Sequence, residues 1–217
     1  MMTFKHPLTL TGLAVAATFV VSGCAAPKAP GPDYDKMALA MMKSSFRAQG
    51  QAHMDRIEQD AVQDACSDAQ PPSPEVTKKL EAEQLATIKA PASGHYIGDW
   101  KKGEKLAENG RGMTWSDDAK AANGGNCYNC HELSKAQISY GTLGPSLYHY
   151  GKLRGVANPA DPAAMPIVQY TWAKIYNAKA YNACSGMPRF GHAKVLDEKQ
   201  MQDLMAYLLD PKSPVNQ

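Results

Sequence analysis

Gly125-Asn126-Cys127-Tyr128-Asn129-Cys130-His131 decides how this chain is read. Two thiols three positions apart, followed at once by an imidazole, is the spacing of c-type haem attachment. On one helical turn residues i and i+3 share a face, so Cys127 and Cys130 can each form a thioether with neighbouring vinyl groups of one haem c. His131 then lies under the same macrocycle as the proximal iron ligand. Two other chemistries use similar residues. Cys-x-x-Cys can be half of a zinc site, completed by His131 and a later His149 or His192. Structural zinc sites, however, offer a second close ligand pair, and no other Cys or His pair here has that spacing. A redox dithiol of the thioredoxin kind calls for a βαβ pattern around it, which the flanks lack. Haem is the reading that fits.

Upstream, Lys5 and His6 precede an apolar run from Leu8 to Val21. The run is short for a spanning helix, which needs about 20 apolar residues, and reads as an export signal. It ends Val21-Ser22-Gly23-Cys24, which resembles a bacterial lipoprotein cleavage box. Residues 1–23 are then a signal that is removed, and Cys24 is the acylated first residue of the mature chain. The competing reading is an ordinary signal cut near Ala25-Ala26. Two or more acyl chains hold a protein on a membrane surface without spanning it. Ala25 after the cysteine points to the outer membrane, and export places the chain in the periplasm, where haem is attached.

The chain has 217 residues and a formal net charge of +2. That length suits one domain plus an appendage, and the near-neutral charge argues against nucleic acid as the main partner. Of five cysteines, Cys66 and Cys184 remain once lipid and haem are assigned. In an oxidising compartment such a pair is most simply a disulfide. The alternative is that Cys184, three residues before a candidate iron ligand, is a reactive thiol.

Residues 24–34 form a Pro-rich tether. From about Asp35 to Ala65 the spacing of Met37, Met41, Phe46, Met54, Ile57, Ala61 and Val62 predicts a helix. Its methionines are read as packing rather than as iron ligands. Pro71-Pro72-Ser73-Pro74 breaks the chain; Ser73 as N-cap and Pro74 at the first helical position begin a second helix that runs to about Lys89. Residues 35–93 are thus a helical extension, which must pack on the haem domain or on a partner. The haem domain, 94–217, opens with a helix from Trp100 to about Glu108, capped by Asp99. Gly103 inside it costs about 1 kcal/mol relative to Ala, which points to close approach by another helix. The partner is the C-terminal helix: Asp197 and Gln200 read as a capping box, Met201, Leu204, Met205 and Leu208 share a face, and Asp210-Pro211 ends it. First and last helices crossing at a glycine, with Tyr207 opposite Gly103, resembles class I cytochromes c. Between them lie loops and a helix from about Val168 to Tyr181, so the class is mainly α.

The sixth iron position sets the chemistry. A thioether there is soft, favours Fe(II) and raises the potential, which suits electron transfer. Met201 and Met205 belong to a helix face. Met187-Pro188 lies in the loop before the last helix, where class I cytochromes present their methionine, and is preferred over Met165; His192 is the non-methionine contender. Gly144-Pro145-Ser146-Leu147 is similar to the class I loop whose proline carbonyl accepts a hydrogen bond from the proximal histidine, fixing its tautomer. Pro145 takes that role here. Arg154 or Arg189 can satisfy the propionates. Lys101, Lys102, Lys105 and Arg111 can dock an acidic partner, or simply form a solvated helix face.

Several stretches coincide with one family. Gly98-Asp99-Trp100-Lys101-Lys102-Gly103-Glu104-Lys105, the Cys127 to His131 motif, Tyr140-Gly141-Thr142-Leu143-Gly144-Pro145-Ser146-Leu147, Lys174-Ile175-Tyr176-Asn177-Ala178 and Met187-Pro188-Arg189-Phe190-Gly191-His192 resemble SoxX, the monohaem subunit of the sulfur-oxidising SoxAX cytochrome. The resemblance spans about 94–216. It implies a periplasmic heterodimer with a SoxA haem subunit, which couples thiosulfate oxidatively to a cysteine of the SoxYZ carrier protein. The X-type subunit is then non-catalytic and relays electrons to a small acceptor cytochrome c, with His131 and Met187 as the axial pair. A free-standing periplasmic electron shuttle is the competing function, and a lipid-anchored scaffold with a zinc site the non-redox one.

Overall fold

The computed structural model describes residues 31–217; the export signal expected over 1–23, the acylation expected at Cys24 and most of the expected 24–34 tether lie outside the described residues. Among the described residues seven α-helices follow one another: α1 (Tyr34–Ser45), α2 (Ala61–Ser67), α3 (Pro74–Leu85), α4 (Trp100–Ala107), α5 (Tyr150–Leu153), α6 (Met165–Tyr176) and α7 (Glu198–Leu209). Among the described residues β pairing is confined to an isolated bridge between Gln49 and Ala52, and no helix is long and apolar enough to cross a membrane. The class is mainly α.

The core is built on α7. Asp197 and Gln200 form the expected capping box: the Gln200 N–H donates to Asp197 (2.8 Å) and the Asp197 N–H to the Gln200 amide (2.9 Å). From Met201 to Leu209 every residue of the helix is buried. At about 1.5–3 kcal/mol for each large apolar side chain taken out of water, this is the largest single contribution to the core. α4 lies directly across it. A Cβ on Gly103 would stand 2.0 Å from the Asp203 carbonyl oxygen and 2.8 Å from Tyr207 Cβ, so the two backbones meet where the sequence put the glycine opposite Tyr207. Asp203, buried, locks the crossing. Its carboxylate accepts the Asp99 N–H (2.8 Å) and pairs with Lys199. α6 adds Val168, Trp172 and Ile175 to the same core, which Leu133, Tyr150, Phe190 and Val215 complete.

Three expected helices are redrawn, the smallest change being α3, expected to run to about Lys89 but ended at Leu85. The helix expected from Asp35 to Ala65 is broken into α1, a short 3-10 turn over Met54–Ile57, and α2. The break is a tight turn in which Gly50 takes φ +54°, a left-handed conformation open to glycine at little cost. Asp60 and Gln63 then start α2 afresh with a capping box. The helix expected from Val168 to Tyr181 begins earlier, at Met165 with Pro166 in its first turn, and stops at Tyr176; Ala178–Ala180 follow as a separate 3-10 turn. The buried Asn177 side chain accepts the Lys179 N–H and ends the α-helical ladder.

The extension does pack on the haem domain, though unevenly. Val62 of α2 and Leu80 of α3 form a small core with Ala183, joined by Ala65 and Cys66. α1 buries none of its residues. Gly103→Ala tests the crossing. The added methyl gains helix propensity of about 1 kcal/mol, but it meets backbone, which cannot rotate away, and overpacking costs about 1–3 kcal/mol. The expected outcome is a lowered denaturant midpoint with an unchanged slope.

Candidate haem-binding site

The attachment turn hangs from the end of α4. Gly125 N–H donates to the Leu106 carbonyl (2.8 Å) and Asn126 N–H to that of Asn109 (3.0 Å). Asn126 takes a left-handed φ of +52°, which asparagine tolerates better than most residues. Cys127–Asn129 then form a 3-10 turn, tighter than the α-turn the spacing suggested; in a 3-10 turn residues i and i+3 eclipse, so Cys127 and Cys130 still share a face. Both are free thiols. Burial pushes the Cys127 thiol up to about 12, and Cys130 beside it adds to the rise, so it is a neutral thiol rather than a thiolate.

His131 is held from below by a loop that runs beside the turn. Gly141 N–H donates to Tyr128 O, Gly144 N–H to Cys130 O and Leu147 N–H to Glu132 O, each at 2.8 Å. This brings the Pro145 carbonyl oxygen to 2.7 Å from His131 Nδ1. A carbonyl only accepts, so Nδ1 carries the proton and Nε2 keeps a lone pair. The ring lies against Gly144, where a Cβ would stand 2.2 Å from His131 Cε1.

Met187 is half-buried in the loop between α6 and α7 and packs against the same core as Cys127, Tyr128 and Leu147. Phe190 anchors the loop in that core, and His192 N–H donates to Tyr176 O (3.0 Å). Burial and the Arg189 charge lower the His192 pKa, with Asp60 opposing. Met165 sits in the first turn of α6, packed on the core, while Met201 and Met205 are buried in α7. His149 bonds the carbonyl of Gln217. Both arginines considered for the propionates are engaged with protein. Arg154 stacks on Tyr150 (3.7 Å to the ring centroid); Arg189 pairs with Asp60 (2.7 Å) and bonds Gln84 (3.2 Å).

These residues fit a haem and not a zinc ion. Among the described residues no three His, Cys, Asp or Glu side chains gather where one ion could be held, so Cys127, Cys130 and His131 do not converge. They instead supply two unpaired thiols and one imidazole with its free lone pair. Two buried polar atoms without a partner among the described residues, Asn126 Oδ1 and Tyr207 Oη, belong to the same neighbourhood. Burial raises the Tyr207 phenol, and the nearby Glu104 and Glu108 carboxylates add to this.

The geometry is that of a c-type cytochrome. Residues 101–211 match the family model described as Cytochrome c, and the chain belongs to that family. With the Cys127/Cys130 pair, this implies a covalently attached haem c. The chain is also similar to an uncharacterized lipoprotein of Aquifex aeolicus (strain VF5), with 38% identity over 167 residues, 73% of each chain.

Sequence reasoning missed the residues that fasten the loop carrying Met187. Cys66 and Cys184 are bridged, as the cysteine count suggested, but Asp60, Glu81 and Gln84 carried no signal beyond the Asp60–Gln63 capping box. Burial works upward on the Asp60 carboxyl, but the Gln63 N–H and the Arg189 guanidinium together hold it below the usual carboxylate range. A carboxyl depressed in the folded state gives stability that is fully present above its unfolded pKa, about 3.9, and lost as pH falls through the lower folded value. Asp60→Asn should therefore lower the denaturant midpoint at neutral pH and flatten the loss of stability below about pH 4; equal losses at both pH values would show that the pair contributes no such linkage.

Proposed function

We propose that this chain is a lipid-anchored, extracytoplasmic monohaem cytochrome c that passes single electrons, with His131 and Met187 as axial ligands. The observation that carries the reading is the hydrogen bond between His131 Nδ1 and the Pro145 carbonyl, which presents Nε2 beside two free thiols on one turn. Bound there, haem c supplies a one-electron iron couple. The chain's own residues do the rest: Cys127 and Cys130 fasten the group, Pro145 fixes the imidazole tautomer and strengthens its basicity, and a thioether from Met187 favours the reduced state and excludes other ligands. The lipoprotein name of the Aquifex relative supports acylation at Cys24. On that view residues 1–23 are removed, 24–34 tether the protein, and 94–217 form the redox domain.

The finer assignment is to the SoxX role: relay from a SoxA-type haem subunit, during oxidative coupling of thiosulfate to SoxYZ, to a small acceptor cytochrome. It is supported by the motif resemblance across 94–216. The free-standing shuttle is favoured by one observation, the exposed side chains of Lys101, Lys102, Lys105 and Arg111 along and just beyond α4, which suit an acidic partner.

Denatured holoprotein in alkaline pyridine should give the spectrum of a thioether-linked haem. Met187→Ala should lower the reduction potential and let the reduced iron bind carbon monoxide; an unchanged spectrum would transfer the ligand role to Met165 or His192. For the finer assignment, solubilised native protein should purify with a second, larger haem protein, and thiosulfate with SoxYZ should reduce the haem only when that protein is present. A solitary, monomeric cytochrome indifferent to thiosulfate would leave the shuttle.

A further inference from the structure

The extension touches the haem domain at residues 113–117 and 198–202, and a third set of contacts falls on residues 172–189. Trp172 Nε1 donates to the Lys89 carbonyl (2.8 Å). Asn177 Nδ2 donates to Gln84 Oε1 and Thr87 Oγ1, both at 3.0 Å. The Ala183 N–H donates to the Glu81 carboxylate (3.2 Å). Cys184 is bonded to Cys66. Arg189, its side chain only 12% exposed, donates to Asp60 at 2.7 Å and to Gln84 at 3.2 Å. Met187 therefore sits in a short span fixed covalently three residues before it and by a guanidinium two residues after it. Both fastenings come from α2, α3 and the residue capping α2, none from the haem domain itself.

We infer that Asp60, Cys66 and Gln84 are positioning residues for the sixth iron ligand, so that the extension is a strap holding the Met187 loop closed. The inference rests on Met187 being that ligand. A thioether is a soft donor and a weak one toward ferric iron, so its retention in the oxidised state depends on how little freedom the loop recovers by letting go. The disulfide and the Arg189 contacts remove that freedom. Asp60 is 41% exposed, so its attraction for Arg189 is partly screened. The directional bonds to a nearly buried guanidinium matter more, since a buried donor left unpaired is costly. Lysine in its place keeps the charge but not the forked geometry.

The test uses the full-length ferric holoprotein and imidazole as the competing ligand. Compared with the native protein, Cys66→Ser/Cys184→Ser, which frees the loop covalently, and Arg189→Met, which loses a charge-assisted bond, should each bind imidazole at least about tenfold more tightly. Each should also weaken the ferric sulfur–iron charge-transfer band and lower the reduction potential. Asp60→Asn and Gln84→Ala, milder changes that leave the bridge in place, should move the same readouts less, and Arg189→Lys should recover part of them. Covalent haem content, read in pyridine, should be unchanged throughout. Variants that lose thermal stability yet keep the native band, potential and imidazole affinity would overturn the proposal and leave the strap a purely structural brace. A native protein lacking the sulfur–iron band, with Met187→Ala no different, would fail at the ligand itself and take the strap's role with it.

Discussion

Everything in the haem domain is referred to the contact between the backbones of α4 and α7. That contact exists because Gly103 has no side chain and Asp203 has one that reaches back to the Asp99 N–H. Once the helices are this close, the end of α4 is fixed, and the attachment turn hung from Leu106 and Asn109 is fixed with it. The loop bonded to that turn then brings Pro145 beneath His131. A chain of short backbone hydrogen bonds thus carries the position of a helix crossing to the position of one imidazole nitrogen. Rigid-element support of this kind is what a redox centre requires, since its ligands should move little between oxidation states.

Much of this was legible in the residues. The Cys127–His131 motif, the glycine opposite Tyr207, the Asp197–Gln200 capping box and the Ser73-Pro74 start of α3 are local signals, each with a short-range physical cause. The failures are equally instructive. The periodicity from Asp35 to Ala65 continues across Gly50, because apolar spacing is blind to a single residue whose φ reverses the chain. The helix expected from about Val168 starts three residues earlier, because Pro166 in a first turn is compatible with helix and marks its start. The covalent fastening of the Met187 loop was legible in the cysteine count, but its polar fastening was not. Arg189 and Asp60 are separated by well over a hundred positions, and no pattern in one chain tells an ion pair at that distance from two solvated charges.

The two parts of the molecule differ in kind. The haem domain is held by a continuous apolar core in which α7 is buried along most of its length. The extension has a core of only a few side chains around Val62, Leu80 and Ala183, and relies on a covalent bond and on polar contacts. α1 goes further still: Tyr34, Met37 and Met41 remain exposed on one side, while Leu39 and Met42 are half-covered. Burial is extensive in the haem domain, slight in α2 and α3 and absent from α1, and resistance to local opening should fall in the same order.

The bridge between Cys66 and Cys184 has a consequence for biogenesis. Its partners are 118 positions apart, whereas Cys127 and Cys130 are near neighbours whose mutual oxidation closes a far smaller ring and is entropically easier. The four cysteines among the described residues allow three pairings, and a haem-bearing protein needs the distant couple oxidised while the adjacent couple stays available for porphyrin. Attachment therefore requires that porphyrin meet the close pair reduced, either before it is oxidised or after thiol–disulfide exchange has reopened it.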